Sequence, residues 1–199
     1  RAMQAALDLK QKEFNAQGVE MNQRYESSAV IPDKDAEHEK WLRDRDLYNQ
    51  PTTRPGAKIP HAWLVGPDGK RISTLDVTGK GFFTVVTGLA GTAWKEAVGR
   101  LRLPFLRIVV TGAPGAEDLY CEWQRIREIE EAGALLVRPD GVVAWRDKVG
   151  VRDADEATEQ LRKALCSVLD LPSLAGIREP ERSACTSSGL PSFIFTSKK

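Results

Sequence analysis

Cysteine and histidine are scarce in this chain of 199 residues: three cysteines, Cys121, Cys166 and Cys185, and two histidines, His38 and His61. The cysteines are far apart and odd in number, and none belongs to a C-x-x-C. Neither a disulfide framework nor a zinc site can be assembled from such a set, and no metal is expected. An excess of one charge is missing too. Lysine and arginine total 29 against 28 aspartates and glutamates, a formal net charge of +1. That balance leaves no bulk field to draw the chain to nucleic acid or to an anionic membrane. No apolar run approaches the roughly 20 residues of a membrane-spanning helix. The opening residues RAMQAALDLKQKEF read as an amphipathic helix rather than a secretory signal. These absences point to a reduced, cytoplasmic setting with no nucleic acid and no membrane as partner.

What is present suits a domain with a hydrophobic core and an appendage, or two small domains: 41% of the residues are hydrophobic and 29% are charged. Met3, Leu7 and Phe14, with Ala6 beside them, recur near helical spacing, and Gly18 stands where such a helix would stop. In GVEMNQRYESSAV, Val19, Met21, Gln23 and Tyr25 alternate with Glu20, Asn22 and Arg24, which predicts a strand. Residues 32 to 60 carry four prolines and the charged run DKDAEHEKWLRDRD, whose local ion pairs suit a solvated segment. This connector is expected to cross a surface with Trp41 and Tyr48 pinned against it.

From Pro60 onward, short apolar runs alternate with turn signals. HAWLVGPDGKRIST predicts a hairpin about Pro67-Asp68-Gly69, and GALLVRPDGVVAWR a second about residues 139 to 141. Between them, Phe82 to Thr87 and the run PFLRIVVTG read as buried strands, with Thr92 to Leu101 as a helix. Residues 117 to 130 read as another helix, placing Leu119, Trp123, Ile126 and Ile129 on one face. Asp153 with Glu156 predicts a capping box for a last helix. Its core-facing stripe is Ala157, Leu161, Ala164, Leu165, Val168 and Leu169, ending at Pro172. GAPGAE, residues 112 to 117, has two glycines but reads as a loop and not a phosphate cradle. The tail has little periodicity before SFIFT.

The order strand, helix, strand, helix, hairpin, helix resembles the thioredoxin arrangement. The expected class is therefore α/β, a thioredoxin-like fold lacking the C-x-x-C and preceded by an N-terminal helix, strand and linker. Residues 1–58 would form the preceding segment, 59–172 the thioredoxin-like domain and 173–199 the tail. Thioredoxins open their first helix with C-x-x-C, where the helix dipole lowers a thiol pKa. The same place here reads TGLAGTAW, and the residue corresponding to their cis-proline is Gly133. Disulfide exchange is thereby excluded, and Cys121 is expected in a helix interior as a packing residue.

Three phrases carry a more specific likeness: NAQGVEMNQRYESSAVIPD at 15 to 33, TRPGAKIPHAWL at 53 to 64 and LLVRPDGVVAWR at 135 to 146. Together they resemble the C-terminal third of class A flavin-dependent aromatic hydroxylases, the group of phenol, dichlorophenol, hydroxyphenylpropionate and polyketide-tailoring hydroxylases. The resemblance covers about residues 1 to 170 and implies a cysteine-free thioredoxin-like domain that follows FAD and substrate domains and serves packing and dimer contacts. FAD belongs to the parent family, but the G-x-G-x-x-G turn and GD motif that hold it there have no counterpart here. No cofactor is expected in this chain. Met21 and Asn22 depart from the glycine that the family usually has at that place.

The resemblance implies a non-catalytic structural and dimerisation domain of an FAD-dependent aromatic monooxygenase, or a truncated relative of one. The alternative is a stand-alone small-molecule-binding or isomerase/cyclase-type accessory protein of aromatic or polyketide metabolism. That protein would use His61 as acid or base, since histidine titrates near neutrality unaided, with Arg24, Tyr25 or Arg54 orienting the ligand. The bland role for His61 is a hydrogen bond to backbone at a strand entrance. Tyr25, Trp41, Trp63 and Trp145 are expected to fill cores and seams instead of forming an aromatic cage. The apolar face Met3, Leu7, Phe14, Val19 and Met21 implies a contact with either a second copy or a flavoprotein catalytic portion.

Overall fold

A computed structural model describes residues 2–33, 39–175 and 177 of the chain. His38, Cys185 and the SFIFT run lie outside the described residues. Helix α1 spans Ala2–Phe14 and helix α2 spans Gln17–Met21. The strand expected over Val19 to Tyr25 is therefore not formed. Gly18 and Asn22 decide this. A Cβ on Gly18 would lie 1.9 Å from the Arg45 carbonyl oxygen, so only glycine lets the helix lie against the turn at residues 45 to 50. Asn22 is buried and donates from Nδ2 to the carbonyls of Arg45 and Tyr48, both at 2.7 Å, while its Oδ1 accepts from the Gln50 amide at 2.8 Å. What remains of the strand is one bridge, Arg24 to Ala57.

The first hairpin forms as expected. Gly69 takes φ of 73°, which suits a residue without a side chain. It joins β1 (Trp63–Val65) antiparallel to β2 (Arg71–Ser73). Ser73 then caps α3 (Thr74–Val77) in a capping box with Asp76. Next come β3 (Phe83–Thr87), α4 (Thr92–Leu101) and β4 (Leu106–Val110), with β3 and β4 parallel as a βαβ crossover requires. All five residues of β3 are buried; β4, at the sheet edge, is mostly half-buried instead of fully buried.

Only part of the helix expected over residues 117 to 130 exists. Glu117–Asp118 form β5, which pairs with β1, and a 3-10 turn at Leu119–Cys121 leads into the short α5 (Glu122–Ile126). Tyr120 and Cys121 take φ of 63° and 55°, and Glu128 takes 50°. Left-handed backbone at both ends cannot continue an α-helix. Cys121 is accordingly the exposed N-cap of α5, not an interior packing residue. The chain closes with β6 (Ala134–Val137), β7 (Val143–Asp147) and α6 (Ala154–Val168). Asp153 caps α6 by accepting from the Asp155 amide at 3.2 Å.

The two sheets run β2-β1-β5 and β4-β3-β6-β7. The larger one has the β-α-β, hairpin, helix order that the sequence implies, within a mixed α/β architecture. Strand alternation divides its side chains between two cores. Val85, Ala134 and Leu136 meet Trp94 and Ala97 of α4 and Leu161 and Leu165 of α6 on one face. Val86, Leu135, Val137 and Val143 meet Trp123, Leu64 and Ile59 on the other. Trp94, fully buried, donates its Nε1 hydrogen to the Ala132 carbonyl at 2.8 Å and packs edge-on against Trp145.

The connector does cross a surface. Trp41, half-buried, lies beneath the guanidinium groups of Arg24 and Arg45, 5.1 and 5.0 Å from their central carbons, and Tyr48 lies beneath Arg43 at 3.3 Å. Cations, more than burial, hold these two rings in place.

Candidate functional site

Pro139, Asp140 and Gly141 turn the second hairpin, with Gly141 at φ of 84° and the Asp140 carboxylate accepting from the Val142 amide at 3.1 Å. The outer edge of β7 is thereby offered to the connector. Gly56 donates to the Val143 carbonyl at 2.8 Å, Val143 donates to Ala57 at 2.9 Å, and Ile59 donates to Gly141 at 2.9 Å. Further along the same edge, the Ile31 amide donates to the Ala144 carbonyl at 2.7 Å. Residues 31 and 56 to 59 thus protect a strand edge that would otherwise be open to pairing with another chain.

Arg146 fastens this arrangement. Its Nε donates to both oxygens of Asp33 at 3.0 and 3.1 Å, and its Nη2 reaches Asp33 Oδ2 at 2.6 Å. Its Nη1 reaches Glu128 at 2.8 Å and Thr53 Oγ1 at 3.3 Å. The side chains of Arg146 and Asp33 are only 6% and 11% exposed, so this is a nearly desolvated, bidentate pair. The same Glu128 oxygen accepts from the Thr52 hydroxyl at 2.7 Å and the Thr53 amide at 3.1 Å. One guanidinium therefore joins the start of the connector, its end, and the turn after α5. Burial raises the Asp33 pKa, but the hydrogen bonds and charge of Arg146, backed by Lys148 and Arg54, outweigh it and hold the carboxyl below its ordinary value of 3.8.

The sequence does not reveal this role for Arg146. A register shift between Leu136 and Val137 hides its real position, because it moves Arg146 opposite the fully buried Leu135, on the core side. Asp33, Thr53 and Glu128 likewise carry no signal in the sequence, since they meet Arg146 only through tertiary packing.

An open cleft of about 620 Å³ adjoins this network, lined by residues including Glu39, Gln50, Arg54, Glu128, Arg146 and Lys148. Arg24, one of the four sequence candidates, reaches Glu39 through Nε and Nη2, each at 2.8 Å, and the Gln50 carbonyl at 3.2 Å. Burial raises the Glu39 pKa, but Arg24, with Gln50 and Arg54, more than offsets this and lowers it. Arg24 and Arg54 therefore converge on one carboxylate. Tyr25 is half exposed, its amide donates to the Gly56 carbonyl at 2.8 Å, and its hydroxyl donates to the Gln23 side chain. His61 belongs to the smaller sheet instead. Its Nδ1 lies 2.7 Å from the Ser73 hydroxyl, and its ring stands edge-on to Trp63 at 4.7 Å. The expected backbone partner is thus replaced by a side chain, and none of these contacts is with Arg24, Tyr25 or Arg54.

The turn from β3 into α4 is where the C-x-x-C of a thioredoxin, or the phosphate-binding turn of a dinucleotide site, would stand. A carboxylate of the chain itself fills it. Glu131 Oε1 accepts from the Leu89 amide at 2.8 Å, and Oε2 accepts from Arg127 Nη2 at 2.6 Å. The hydrogen bond from Arg127 is the main reason the Glu131 pKa is lowered. A Cβ on Gly88 would lie 2.5 Å from that carboxylate, and one on Gly91 would lie 1.9 Å from the Thr87 hydroxyl. These glycines serve close packing. A pyrophosphate does not fit there, because a negative group already holds the amide and like charges repel. In GAPGAE, the amides of Gly112 and Ala116 are spent on the carbonyls of Ala116 and Ala113, at 2.8 and 2.9 Å. Among the described residues, no group of three or more His, Cys, Asp and Glu could hold a metal ion, and no helix is long and apolar enough to cross a membrane.

Known proteins agree with this architecture. The chain is 45% identical over 175 residues to 2,4-dichlorophenol 6-monooxygenase of Delftia acidovorans, which covers 85% of this chain and 29% of that protein. It is 39% identical over 181 residues to phenol 2-monooxygenase of Pseudomonas sp. (strain EST1001), covering 89% and 29%. Among solved structures, the flavin-dependent monooxygenase PieE in complex with FAD and substrate superposes with a TM-score of 0.75 at 41% identity, over 86% of this chain and 29% of that one. Aklavinone-11 hydroxylase, in a ternary complex with FAD and aklavinone, gives 0.60 at 34% identity, over 74% and 26%. The chain thus spans under a third of the length of these relatives. A model of the family described as aromatic-ring hydroxylase, C-terminal, matches residues 52–172, and with more than half its length so matched the chain belongs to that family.

Proposed function

We propose that this chain is the non-catalytic C-terminal part of an FAD-dependent aromatic monooxygenase, with residues 59–172 as a thioredoxin-like, redox-inactive domain and residues 1–58 as the segment that joins it to the catalytic portion. Hydroxylation of an aromatic ring, the FAD that supports it and a cytoplasmic setting belong to the whole enzyme in this reading. The observation that carries it is Glu131 in the β3–α4 turn. The one place where this fold supports thiol or phosphate chemistry is closed by an internal ion pair. The network about Arg146 supports a bracing role, since it holds the connector to the hairpin. The competing idea of a stand-alone ligand-binding protein is less favoured, because His61 is engaged with Ser73 on the smaller sheet, apart from Arg24 and Arg54.

Partners in this reading are the flavin-bearing portion of the enzyme, a second copy of the chain, or both. The test is direct. The purified chain is incubated with excess FAD, desalted and scanned in the visible range. The expected result is a protein without flavin absorbance; stoichiometric retention of FAD would overturn the proposal.

A further inference from the structure

Two contacts of this fold, the connector fastened by Arg146 and the β3–α4 turn filled by Glu131, meet in residues 127 to 131. Arg127 belongs to both. Its carbonyl accepts from the Thr53 hydroxyl of the connector, and its guanidinium, only 10% exposed, donates to Glu131, which in turn holds the Leu89 amide. The next residue, Glu128, takes φ of 50°, a left-handed conformation that is strained for a residue with a side chain. Such backbone persists only where its surroundings over-determine it. The connector and the hairpin do so here, because one Glu128 oxygen accepts from the Thr52 hydroxyl, the Thr53 amide and Arg146. Among the described residues, no hydrogen bond or ion pair joins Arg146 or Thr53 directly to Glu131 or Leu89.

Nearby bonds limit what can move. The Glu130 amide is tied to the Lys148 carbonyl, and the Ala132 carbonyl to Trp94. The backbone beyond the turn is thus pinned, and the freedom left lies in the left-handed turn at Glu128 and in the side chains of Arg127 and Glu131. We propose that these contacts form one conformational device. Docking of the connector holds Glu128 in its left-handed turn and sets Arg127, and Arg127 aims Glu131 into the β3–α4 turn, so that this turn is closed only while the connector is docked. Freed of the connector, Glu128 relaxes, the Arg127 guanidinium turns away and the Leu89 amide opens to solvent. Linkage is reciprocal, so removing the Glu131 carboxylate weakens the hold on the connector by the same factor.

The test is a double-mutant cycle on the intact chain, with Arg146→Met, Glu131→Gln and the pair of them unfolded in urea. The expected result is that Arg146→Met raises the unfolding equilibrium constant at least about fivefold less in the Glu131→Gln chain than in the parent. Effects that simply multiply would overturn the proposal. If the double variant does not fold, a second cycle with Thr53→Val decides in the same way, since that change removes the hydroxyl on the Arg127 carbonyl and keeps most of the shape. A plain loss of stability does not single out one amide, so hydrogen exchange at Leu89 supplies the second readout. Leu64→Ala, a truncation of a fully buried side chain in the smaller sheet, is the control. Arg146→Met is expected to speed Leu89 exchange at least about fivefold more than Leu64→Ala does. Equal acceleration in the two variants, or none in Arg146→Met, would overturn the coupling.

Discussion

The hairpin of β6 and β7 and the helix α1 are both regular elements carrying apolar side chains at the expected period, yet they meet opposite environments. All four residues of β6 are buried, and β7 is covered along its outer edge by the connector. No described side chain of α1 is buried at all. Periodicity alone does not distinguish an element that has found its partner from one that has not. The difference lies in the number of independent contacts holding each: ladder bonds on both edges, two cores and a buried ion pair for the hairpin, and the short anchor of α2 for the helix.

The largest break in this contrast is expected from Trp94→Ala. The ring is fully buried between α4, α6 and the sheet, and its Nε1 holds the Ala132 carbonyl. Truncation leaves a cavity and an orphaned acceptor, for a loss of about 3–5 kcal/mol in the denaturant-unfolding free energy. Arg146→Met comes next. Breaking a buried pair by removing one partner costs about 3–5 kcal/mol. Lys148, 3.6 Å from Asp33, takes over part of the pairing, so about 2–3 kcal/mol is expected.

Asp33 gives the same contact a pH signature. Its folded-state pKa is lowered, so its stabilisation is present above the ordinary carboxylate range and is lost as pH falls through the folded value. The charges facing it are the cations Arg146, Lys148 and Arg54. Urea midpoints measured from neutral to acid pH are expected to fall for the parent chain more steeply than for Arg146→Met. At the other end of the scale, Leu7→Glu is expected to change unfolding by no more than about 0.5 kcal/mol, as for an ordinary surface site. A destabilisation comparable to that of Arg146→Met would show that α1 packs on the body.

Much of the larger sheet was legible in the sequence because its determinants are local. Pro139-Asp140-Gly141 is a strong local turn signal, Phe83–Thr87 is a run of β-branched and aromatic residues, and the α6 stripe is self-evident at helical spacing. The misread segments owe their structure to distant partners. Residues 19 to 25 alternate like a strand, but the Arg45 carbonyl against Gly18 and the three bonds of Asn22 make them helix and bridge. Leu119, Trp123, Ile126 and Ile129 share a helical spacing, but left-handed residues at 120, 121 and 128 cut Leu119 and Ile129 off from the short helix that keeps Trp123 and Ile126. The candidate site was legible only in part. Arg24 and Arg54 do bear on a common carboxylate, whereas the Arg146 network depends on a bulge and on Asp33, 113 positions away along the chain.

Native-state hydrogen exchange, followed residue by residue on the monomeric chain, compares the two regions in one experiment. The amides of Gly56, Ile59 and Val143, paired between connector and hairpin, are expected to exchange at rates approaching those of β6, with α1 amides exchanging orders of magnitude faster. Protection of α1 equal to that of the connector in a monomer, or exchange at Gly56 and Ile59 as fast as in α1, would contradict the account.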